Sequence, residues 1–431
     1  MQRLLVRVAC AWLIGSGATV VLAEDWPQFR GPDGQGHSGE RGVPIHWSET
    51  QNIAWKVAVP GRGWSSPVVV DGRVWLTTAI PSGRERSLRL MSFDASSGQT
   101  RLDVEVFRQS NSELLNAKNS HASPTPIVEG DRVYVHFGAE GTAAVSTTGE
   151  VIWKVRLRYD SQHGNGGSPV LSGDLLIVNC DGFDEAFVAA LDKRTGKTRW
   201  RTFRPEPWSQ AYSTPLVIRA GDRDLVVSVG AFHTMAYDPQ NGKEAWRVDY
   251  PEGFSNVPRP VYGSGLVFIA TGFQQPSLLA VRPDGKGNVT RSHVAWTLSR
   301  GAPLTPSPLL VGDDLYLVTD AGIASKVDAR TGAVRWQHRL GAPVSASPVS
   351  VDGRIYFLDE EGRTTVVMPG PTFEAVAVNA LDGATLASMA VASQSFFIRT
   401  ATHLYRISEA GPKDPPVAPR HNSATTPVVW P

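Results

Sequence analysis

Four histidines are the residues whose chemistry most invites a metal or an acid–base role. They are His121, His136, His163 and His233. Metal-binding histidines usually recur at short spacings such as His-x-x-x-His, and no such pair occurs among these four. Asp181 and Asp184 could offer carboxylates to Ca²⁺, but they lack the spacing of a calcium-binding loop. We therefore expect ordinary hydrogen-bonding roles for these side chains and no bound metal.

Motifs for phosphate binding and nucleophilic catalysis are also missing. The segment Thr195-Gly196-Lys197-Thr198 is similar to the end of a phosphate-binding loop, but Leu191 stands where that loop requires its first glycine. No Gly-x-Ser-x-Gly motif and no cysteine–histidine combination indicates a nucleophile. A formal net charge of +1 gives no long-range attraction for nucleic acid. The position of each polar side chain in the fold must therefore decide its role.

A repeat predicts how the chain positions these side chains. A Ser/Thr-Pro step or its equivalent, followed by apolar runs, recurs at intervals of 40 to 57 residues. The copies begin at Ser66-Pro67, Ser123-Pro124, Ser168-Pro169, Thr214-Pro215, Arg259-Pro260, Ser307-Pro308, Ser347-Pro348 and Ser388-Met389. A period in the forties is typical of β-propellers, in which each repeat forms one blade. The sequence therefore predicts an all-β fold, an eight-bladed β-propeller of four-stranded antiparallel blades.

The second half of several repeats contains an Asp-x-x-x-Gly turn. Clear copies span residues 94–98, 192–196, 238–242 and 328–332. In such a hairpin the aspartate caps the turn and the glycine takes a positive φ. Tryptophans occupy equivalent positions in the outermost strands, namely Trp55, Trp153, Trp200, Trp246, Trp296 and Trp336. A large aromatic side chain repeated once per blade predicts packing between blades and not a ligand platform.

The two ends of the chain predict how the ring closes. The last repeat supplies three strands, at residues 384–391, 395–400 and 403–408. Residues 52–57 read Asn-Ile-Ala-Trp-Lys-Val, which is the pattern of an outermost strand with no blade before it. Joining this N-terminal strand to the last repeat completes blade eight and removes the open sheet edges. The alternative is a seven-bladed ring in which the last repeat forms a C-terminal flap.

Connectivity sorts the loops onto two faces. If the first strand of each blade is innermost, the connections between blades and the hairpins between second and third strands emerge together, on what we call the rim face. The Asp-x-x-x-Gly turns emerge on the opposite face. Polar and aromatic residues concentrate in the rim-face loops, where binding residues commonly lie. The candidate ligand-binding residues are Trp64, Asn119, His121, His163, Asn165, Asp181, Tyr212, His233, Asn256, Arg259 and Gln274.

The chain divides into four predicted segments. Residues 1–23 form a secretory signal peptide, because arginines precede a short, uncharged apolar stretch. An N-terminal arm spans 24–51, the propeller 52–408 and a Pro-rich C-terminal tail 409–431. Cleavage would leave Cys180 as the only cysteine, so no internal disulfide is expected. We expect a secreted or periplasmic protein without a transmembrane segment.

The phrase Asp-x-x-Thr-Gly-x-x-x-Trp, at residues 192–200 and 328–336, resembles the pyrroloquinoline-quinone-like (PQQ-like) repeat family. The resemblance extends over about residues 52–408 and implies a propeller. The family contains quinoprotein alcohol dehydrogenases and a propeller lipoprotein of outer-membrane protein assembly. The lipid anchor of the latter is not expected here, because Cys10 precedes the apolar stretch of the signal.

The dehydrogenases of this family imply a specific cofactor site. In them PQQ stacks on a tryptophan, Ca²⁺ bridges the quinone and a carboxylate, and an aspartate acts as base. The best candidates for these roles are Trp64 or Trp208 with Asp181. Cys180 alone cannot form the vicinal disulfide that covers the cofactor in many of these enzymes, and no Cys-x-x-Cys-His haem motif occurs.

The sequence favours an exported, non-enzymatic binding or scaffold propeller that engages a protein or glycan partner through its rim loops. No catalytic residue and no cofactor is expected in that case. A PQQ-dependent dehydrogenase, loaded with PQQ and Ca²⁺, is the first alternative. A polysaccharide-active enzyme is the second, and it would need paired carboxylates across the channel.

Overall fold

Short apolar strands separated by glycine-containing turns build eight antiparallel sheets around a central channel. The computed structural model describes residues 24–110, 115–205 and 210–409. Blades one to four contain the strands Val68–Val70, Arg73–Ser82, Glu85–Asp94 and Thr100–Gln109; Ile127–Glu129, Arg132–His136, Thr142–Ser146 and Val151–Val155; Val170–Ser172, Leu175–Asp181, Ala186–Asp192 and Thr198–Phe203; Leu216–Ala220, Arg223–Val229, His233–Tyr237 and Glu244–Asp249. In each blade the strands follow one another from the channel outwards.

Blades five to eight repeat this order. Their strands are Val261–Gly263, Leu266–Thr271, Ser277–Val281 and Val294–Leu298; Leu309–Val311, Asp314–Val318, Ile323–Asp328 and Val334–Arg339; Val349–Val351, Arg354–Leu358, Arg363–Val367 and Ala375–Ala380; Ala390–Ala392, Ser395–Arg399, His403–Ser408 and Ile53–Ala58. Two short strands add parallel edges, His37–Ser38 to blade seven and Gly287–Asn288 to blade four. The described ranges contain a single 3₁₀ turn, Gly138–Glu140, and no helix long and apolar enough to cross a membrane.

The N-terminal strand closes the ring as the sequence predicts. Ile53–Ala58 pairs antiparallel with His403–Ser408, with Val57 opposite Leu404. The last repeat therefore forms a complete eighth blade, and the seven-bladed alternative is wrong. Its innermost strand, Ala390–Ala392, is shorter than the predicted strand at 384–391, because residues before Ser388 belong to the connection from blade seven. The predicted signal peptide and residues 410–431 of the predicted tail lie outside the described residues.

The repeated tryptophans fasten neighbouring blades. The indole Nε1 of an outermost strand donates to a carbonyl in the Asp-x-x-x-Gly turn of the next blade. The pairs are Trp55 with Ala95 at 3.0 Å, Trp153 with Lys193 at 3.1 Å, Trp200 with Pro239 at 2.7 Å and Trp296 with Ala329 at 3.0 Å. A side chain at the turn glycine would clash with the tryptophan. Gly242 has φ +69°, and a Cβ there would lie 2.5 Å from the Trp200 ring. The predicted packing role of these tryptophans is confirmed.

Hydroxyl side chains fasten the inner ends of the blades. The backbone N–H of one Ser/Thr-Pro step donates to the hydroxyl of the next step around the ring, as from Ser307 to Ser347 at 3.0 Å. In blade two this hydroxyl is Thr125, which accepts from Ser66 at 3.0 Å. The repeat there begins at Thr125-Pro126, because Pro126 directly precedes the innermost strand Ile127–Glu129. The predicted start at Ser123-Pro124 is two residues too early.

The N-terminal arm crosses the channel on the face opposite the rim. Trp26 exchanges backbone hydrogen bonds of 2.7 and 2.9 Å with Val69 of blade one. Farther along, His37–Ser38 pairs with blade seven, and the Glu40 carboxylate accepts the backbone N–H groups of Ser393 and Gln394 in blade eight. Because these contacts lie at or beside the turns that end the innermost strands, the arm covers this end of the channel.

Candidate functional site

A cavity of about 660 Å³ opens on the rim face over the covered channel. All eight connections that lead into an innermost strand contribute to its wall, from Trp64 in the first to Ser388 in the last. Phe29 of the N-terminal arm also lines it. The cavity is therefore a funnel with walls from every blade and a floor supplied by the arm. A volume in this range suits a small molecule or one segment of a larger ligand.

Aromatic rings form one side of the funnel. Phe254 follows the outermost strand of blade four, and Phe273 lies in the hairpin between the second and third strands of blade five. Their ring centroids are 5.8 Å apart, and Phe232 lies 6.2 Å from Phe254. Phe273 is 60% exposed, which leaves its ring accessible at the mouth. Trp64 and Tyr212 add further rings to the wall.

The long connection between blades one and two reaches across the mouth. Its Lys118 Nζ lies 2.7 Å from Glu360 Oε1 in blade seven and 3.7 Å from Asp320 Oδ1 in blade six. Asp320 also accepts the backbone N–H groups of Leu304 and Thr305 at 2.9 and 3.0 Å. These carboxylates are thus held by fixed donors, and their charges are offset by one lysine.

The Lys118 contact can be tested by its effect on stability. Lys118 is 41% exposed, and ion pairs of that exposure typically contribute less than about 1 kcal/mol. We expect Lys118→Met to lower the free energy of unfolding by no more than about 1 kcal/mol in a urea titration. A loss well above 2 kcal/mol would instead mean that the lysine neutralises two carboxylates in a dry environment.

Four of the predicted residues line the funnel. Trp64 has a buried indole Nε1 without a partner among the described residues. Asn119 donates to the His163 carbonyl at 2.8 Å and receives the Ser123 hydroxyl. His163 is exposed and takes a left-handed φ of +66°. The Tyr212 hydroxyl donates to the Gln162 carbonyl at 3.1 Å, which fixes its ring in the wall.

Three other predicted residues lie on the rim face without lining the funnel. His121 and Asn165 share a narrow crevice beside the hairpin between the second and third strands of blade two. Burial, with help from Arg86 and Arg62, lowers the pKa of His121 to about 4, so it is neutral near pH 7. Gln274 is exposed next to Phe273, outside the funnel wall.

Asp181 does not serve the rim, because it forms a buried ion pair. Its carboxylate accepts hydrogen bonds from the Arg204 Nε and, at 3.2 Å, from Arg204 Nη2, and both side chains are 0% exposed. Arg204 also donates to the Ser228 hydroxyl at 2.7 Å. His233 is buried nearby, and burial together with the Arg204 charge lowers its pKa to about 4. Arg204 therefore links Asp181 of blade three to Ser228 of blade four.

Asn256 and Arg259 are likewise structural. The Asn256 side chain is fully buried, where it donates to the Gly230 carbonyl at 2.6 Å and accepts the Gly272 N–H. Arg259 is 2% exposed and donates to the carbonyls of Pro215 and Phe29 at 3.1 and 2.8 Å. It therefore ties the arm to the propeller beneath the funnel.

The residues implied by a quinone site do not come together. Trp64 lines the funnel, but Asp181 is enclosed with Arg204 and is not available to bind Ca²⁺ or act as a base. Trp208 lies outside the described residues. Asp320 is the carboxylate on the wall, and two N–H groups, the Thr305 hydroxyl and Lys118 already occupy its surroundings. These residues do not fit the expected cofactor set.

Two lining residues, Phe29 and Lys118, were not among those predicted from the sequence. Phe29 belongs to an arm with no repeat, so nothing fixed where it would meet the channel. Lys118 lies in a connection longer than its counterparts, and that extra length was the available signal for a loop that crosses the mouth. The Ser/Thr-Pro steps were recognised as repeat markers, yet their hydroxyls also line the funnel.

Comparison with known proteins identifies the family. The family profile described as outer membrane protein assembly factor BamB matches residues 38–186 and 184–410. BamB from Moraxella catarrhalis has a similar structure, with a TM-score of 0.57 at 13% identity over 82% of this chain and 99% of that chain. Quinohemoprotein alcohol dehydrogenase from Comamonas testosteroni gives a TM-score of 0.46 at 12% identity over 90% and 81%. No curated protein matches in sequence. Since the profile spans nearly the whole propeller, the chain belongs to the BamB family of PQQ-like β-propellers.

Proposed function

We propose that this protein is an exported, non-enzymatic binding propeller that holds part of a protein or glycan partner in the rim-face funnel. One observation carries the proposal: the funnel has walls from all eight blade connections and is closed below by Phe29. A pocket built from every repeat and sealed by a separate arm is a rigid, preformed site. Such concave sites with a few placed polar groups are where ligands commonly bind.

The state of the charged groups supports binding over catalysis. A general acid or base must reach the substrate with a free carboxylate, imidazole or amine. Asp320 and Glu360 are engaged by Lys118, and Asp181 is enclosed with Arg204. Apart from the exposed His163 imidazole, the available surface of the funnel consists of aromatic rings, amides and hydroxyls, and Asp320, the carboxylate on the described part of the wall, is already engaged.

That surface chemistry suits a ligand with both apolar faces and many hydrogen-bonding groups. Trp64, Tyr212, Phe254 and Phe273 offer ring faces, and Asn116 and Gln210 offer amides. Sugars and extended peptides both have this character. The family profile is described as an outer membrane protein assembly factor, which supports a scaffold role and a location in the periplasm after removal of residues 1–23.

Glycan and peptide arrays test the proposal. The chain from Glu24 onwards should give reproducible signals, and Trp64→Ala should reduce them at least tenfold because it removes a ring from the funnel wall. Phe203→Ala is the matched control, since Phe203 is 54% exposed on an outermost strand and does not line the funnel. Circular dichroism should confirm that both variants are folded.

Two outcomes would contradict the proposal. Loss of signal in Phe203→Ala with no loss in Trp64→Ala would place binding on the outer surface. A saturable change of PQQ absorbance with Ca²⁺, accompanied by a rise in melting temperature, would favour the dehydrogenase alternative.

A further inference from the structure

The floor of the funnel is ringed by hydroxyl groups with an unusual bonding state. Each of six hydroxyls accepts a hydrogen bond of 2.9 to 3.0 Å. The donor is the backbone N–H of the residue that precedes the corresponding proline in the preceding blade. They belong to Thr125, Ser168, Thr214, Ser307, Ser347 and Ser388, and all six line the funnel. A hydroxyl that accepts one hydrogen bond still has its own proton to donate. None of the six donates to a described residue, so these protons are available to a ligand.

Arginine replaces the hydroxyl at one position of the ring. Arg259 precedes its proline as the serines and threonines do elsewhere, and its backbone N–H donates to Ser307. Its side chain lies beneath the floor, where it holds the Phe29 carbonyl. The ring therefore combines hydroxyl donors with one permanent positive charge.

Two more buried arginines flank the floor. Arg30 is 1% exposed and donates to the Pro308 carbonyl at 2.7 Å, next to Ser307. Arg399 is also 1% exposed and donates to the Ser65 hydroxyl at 2.8 Å, next to Ser66. The Arg30 Nε and Nη1 and the Arg399 Nε have no hydrogen-bond partner among the described residues. Each guanidinium thus contacts a residue adjacent to the funnel lining.

Within the described ranges of the chain, these three positive charges have no ion-pair partner. Among the described residues, no carboxylate oxygen lies within 4.0 Å of Arg30, Arg259 or Arg399. Asp33 acts on Arg30 and Arg259 from farther away, but its carboxylate binds His37 at 2.9 Å. Burial lowers the pKa of Arg30 and Arg399 to about 9 and that of Arg259 to about 10. Buried charge of one sign is costly unless it is compensated.

We propose that the funnel binds an acidic glycan and that its floor receives the carboxylate or sulfate group of that ligand. The hydroxyl ring would donate directly to the oxyanion, and the three guanidiniums would stabilise its charge from behind the floor. This inference rests on the proposed binding function and adds the chemical class of the ligand.

The arm favours a glycan over a peptide strand. A peptide that binds by adding a strand needs an exposed sheet edge. On blades one and seven the innermost edges are already paired, with Trp26 and with His37–Ser38. The Phe273 ring, which is exposed at the mouth, can stack on a sugar ring above a floor that binds the acidic group.

Selenate, an anomalously scattering analogue of sulfate, provides a probe of the floor alone. Titration at constant ionic strength, with chloride as the control anion, should raise the melting temperature to a plateau. Anomalous diffraction from crystals soaked in selenate should place selenium above Phe29 within the hydroxyl ring. Ser347→Ala removes one donor and should weaken selenate binding about tenfold, as expected for a hydrogen bond to a charged group. Thr214→Val is a second test if the first variant folds poorly.

Arrays separate this inference from the proposed function. Binding of uronate or sulfated glycans in preference to their neutral counterparts would support both. Binding of neutral glycans, with no selenate on the floor, would overturn the anion site and leave the binding function intact. Selenate on the floor without any array ligand would support the anion site and contradict the binding function. Preference for acidic peptides would overturn the glycan assignment.

Discussion

Asp181→Asn should lower the free energy of unfolding by about 3–5 kcal/mol, because it leaves the buried Arg204 guanidinium without its counter-charge. Asp181 and Arg204 are both 0% exposed, so water cannot replace the lost interaction. The variant keeps the shape of the side chain, which restricts the change to charge and hydrogen bonding. Urea titration of the chain from Glu24 onwards, followed by circular dichroism, measures the loss.

A second aspartate–arginine pair supplies the control. Asp224 binds Arg219 at 3.0 Å in the neighbouring blade, but these side chains are 54% and 61% exposed. Asp224→Asn should therefore cost less than about 1 kcal/mol. If the two variants lost similar, small amounts, Asp181 would not be a structural residue, and its assignment to ligand or Ca²⁺ binding would regain support.

Trp55→Ala should have a comparably large effect, about 3–5 kcal/mol, because it damages the seam that closes the ring. Trp55 is 9% exposed, packs 6.0 Å from the Phe397 ring and donates to the Ala95 carbonyl of blade one. The substitution leaves a cavity between blades eight and one and removes a hydrogen bond. Urea titration again provides the measurement.

The matched control for the closing strand is Ala54→Ser. Ala54 is exposed on the same strand, so its replacement should change stability by less than about 0.5 kcal/mol. A small effect of Trp55→Ala would show that Ile53–Ala58 contributes little to closure. In that case, the arm contacts at Trp26 and Glu40 would be the main fastening of the N-terminus.

The fold could be predicted because its determinants are local and repeated. The Asp-x-x-x-Gly turns and the following tryptophans recur in each of several blades, so one incorrect assignment does not change the architecture. The predicted start of blade two was wrong because Ser123-Pro124 and Thr125-Pro126 both satisfy the repeat pattern. Only pairing of the next strand, Ile127–Glu129, distinguishes them.

The site was predictable only in part, for physical reasons. Connectivity correctly put the connections between blades on one face, and Trp64, Asn119, His163 and Tyr212 line the funnel there. Asp181 has the same polar character in sequence, but its partner Arg204 lies 23 residues later and encloses it. The position of Phe29 depends on contacts with distant blades, through Arg259 and the carbonyl it holds. Sequence spacing contains no information on such long-range contacts.

Blocking the funnel tests the central claim most directly. Cys180 is buried, and burial raises the pKa of its thiol, so a new surface cysteine can be labelled selectively. Leu304→Cys places a thiol on the funnel wall, whereas Val378→Cys places one on the outer edge of blade seven, where Val378 is 65% exposed. Each variant is coupled to a bulky maleimide and assayed on the glycan and peptide arrays. We predict that the adduct at residue 304 abolishes ligand binding while the adduct at residue 378 leaves it unchanged. Binding that survives the adduct at residue 304 would contradict the claim that the funnel is the binding site.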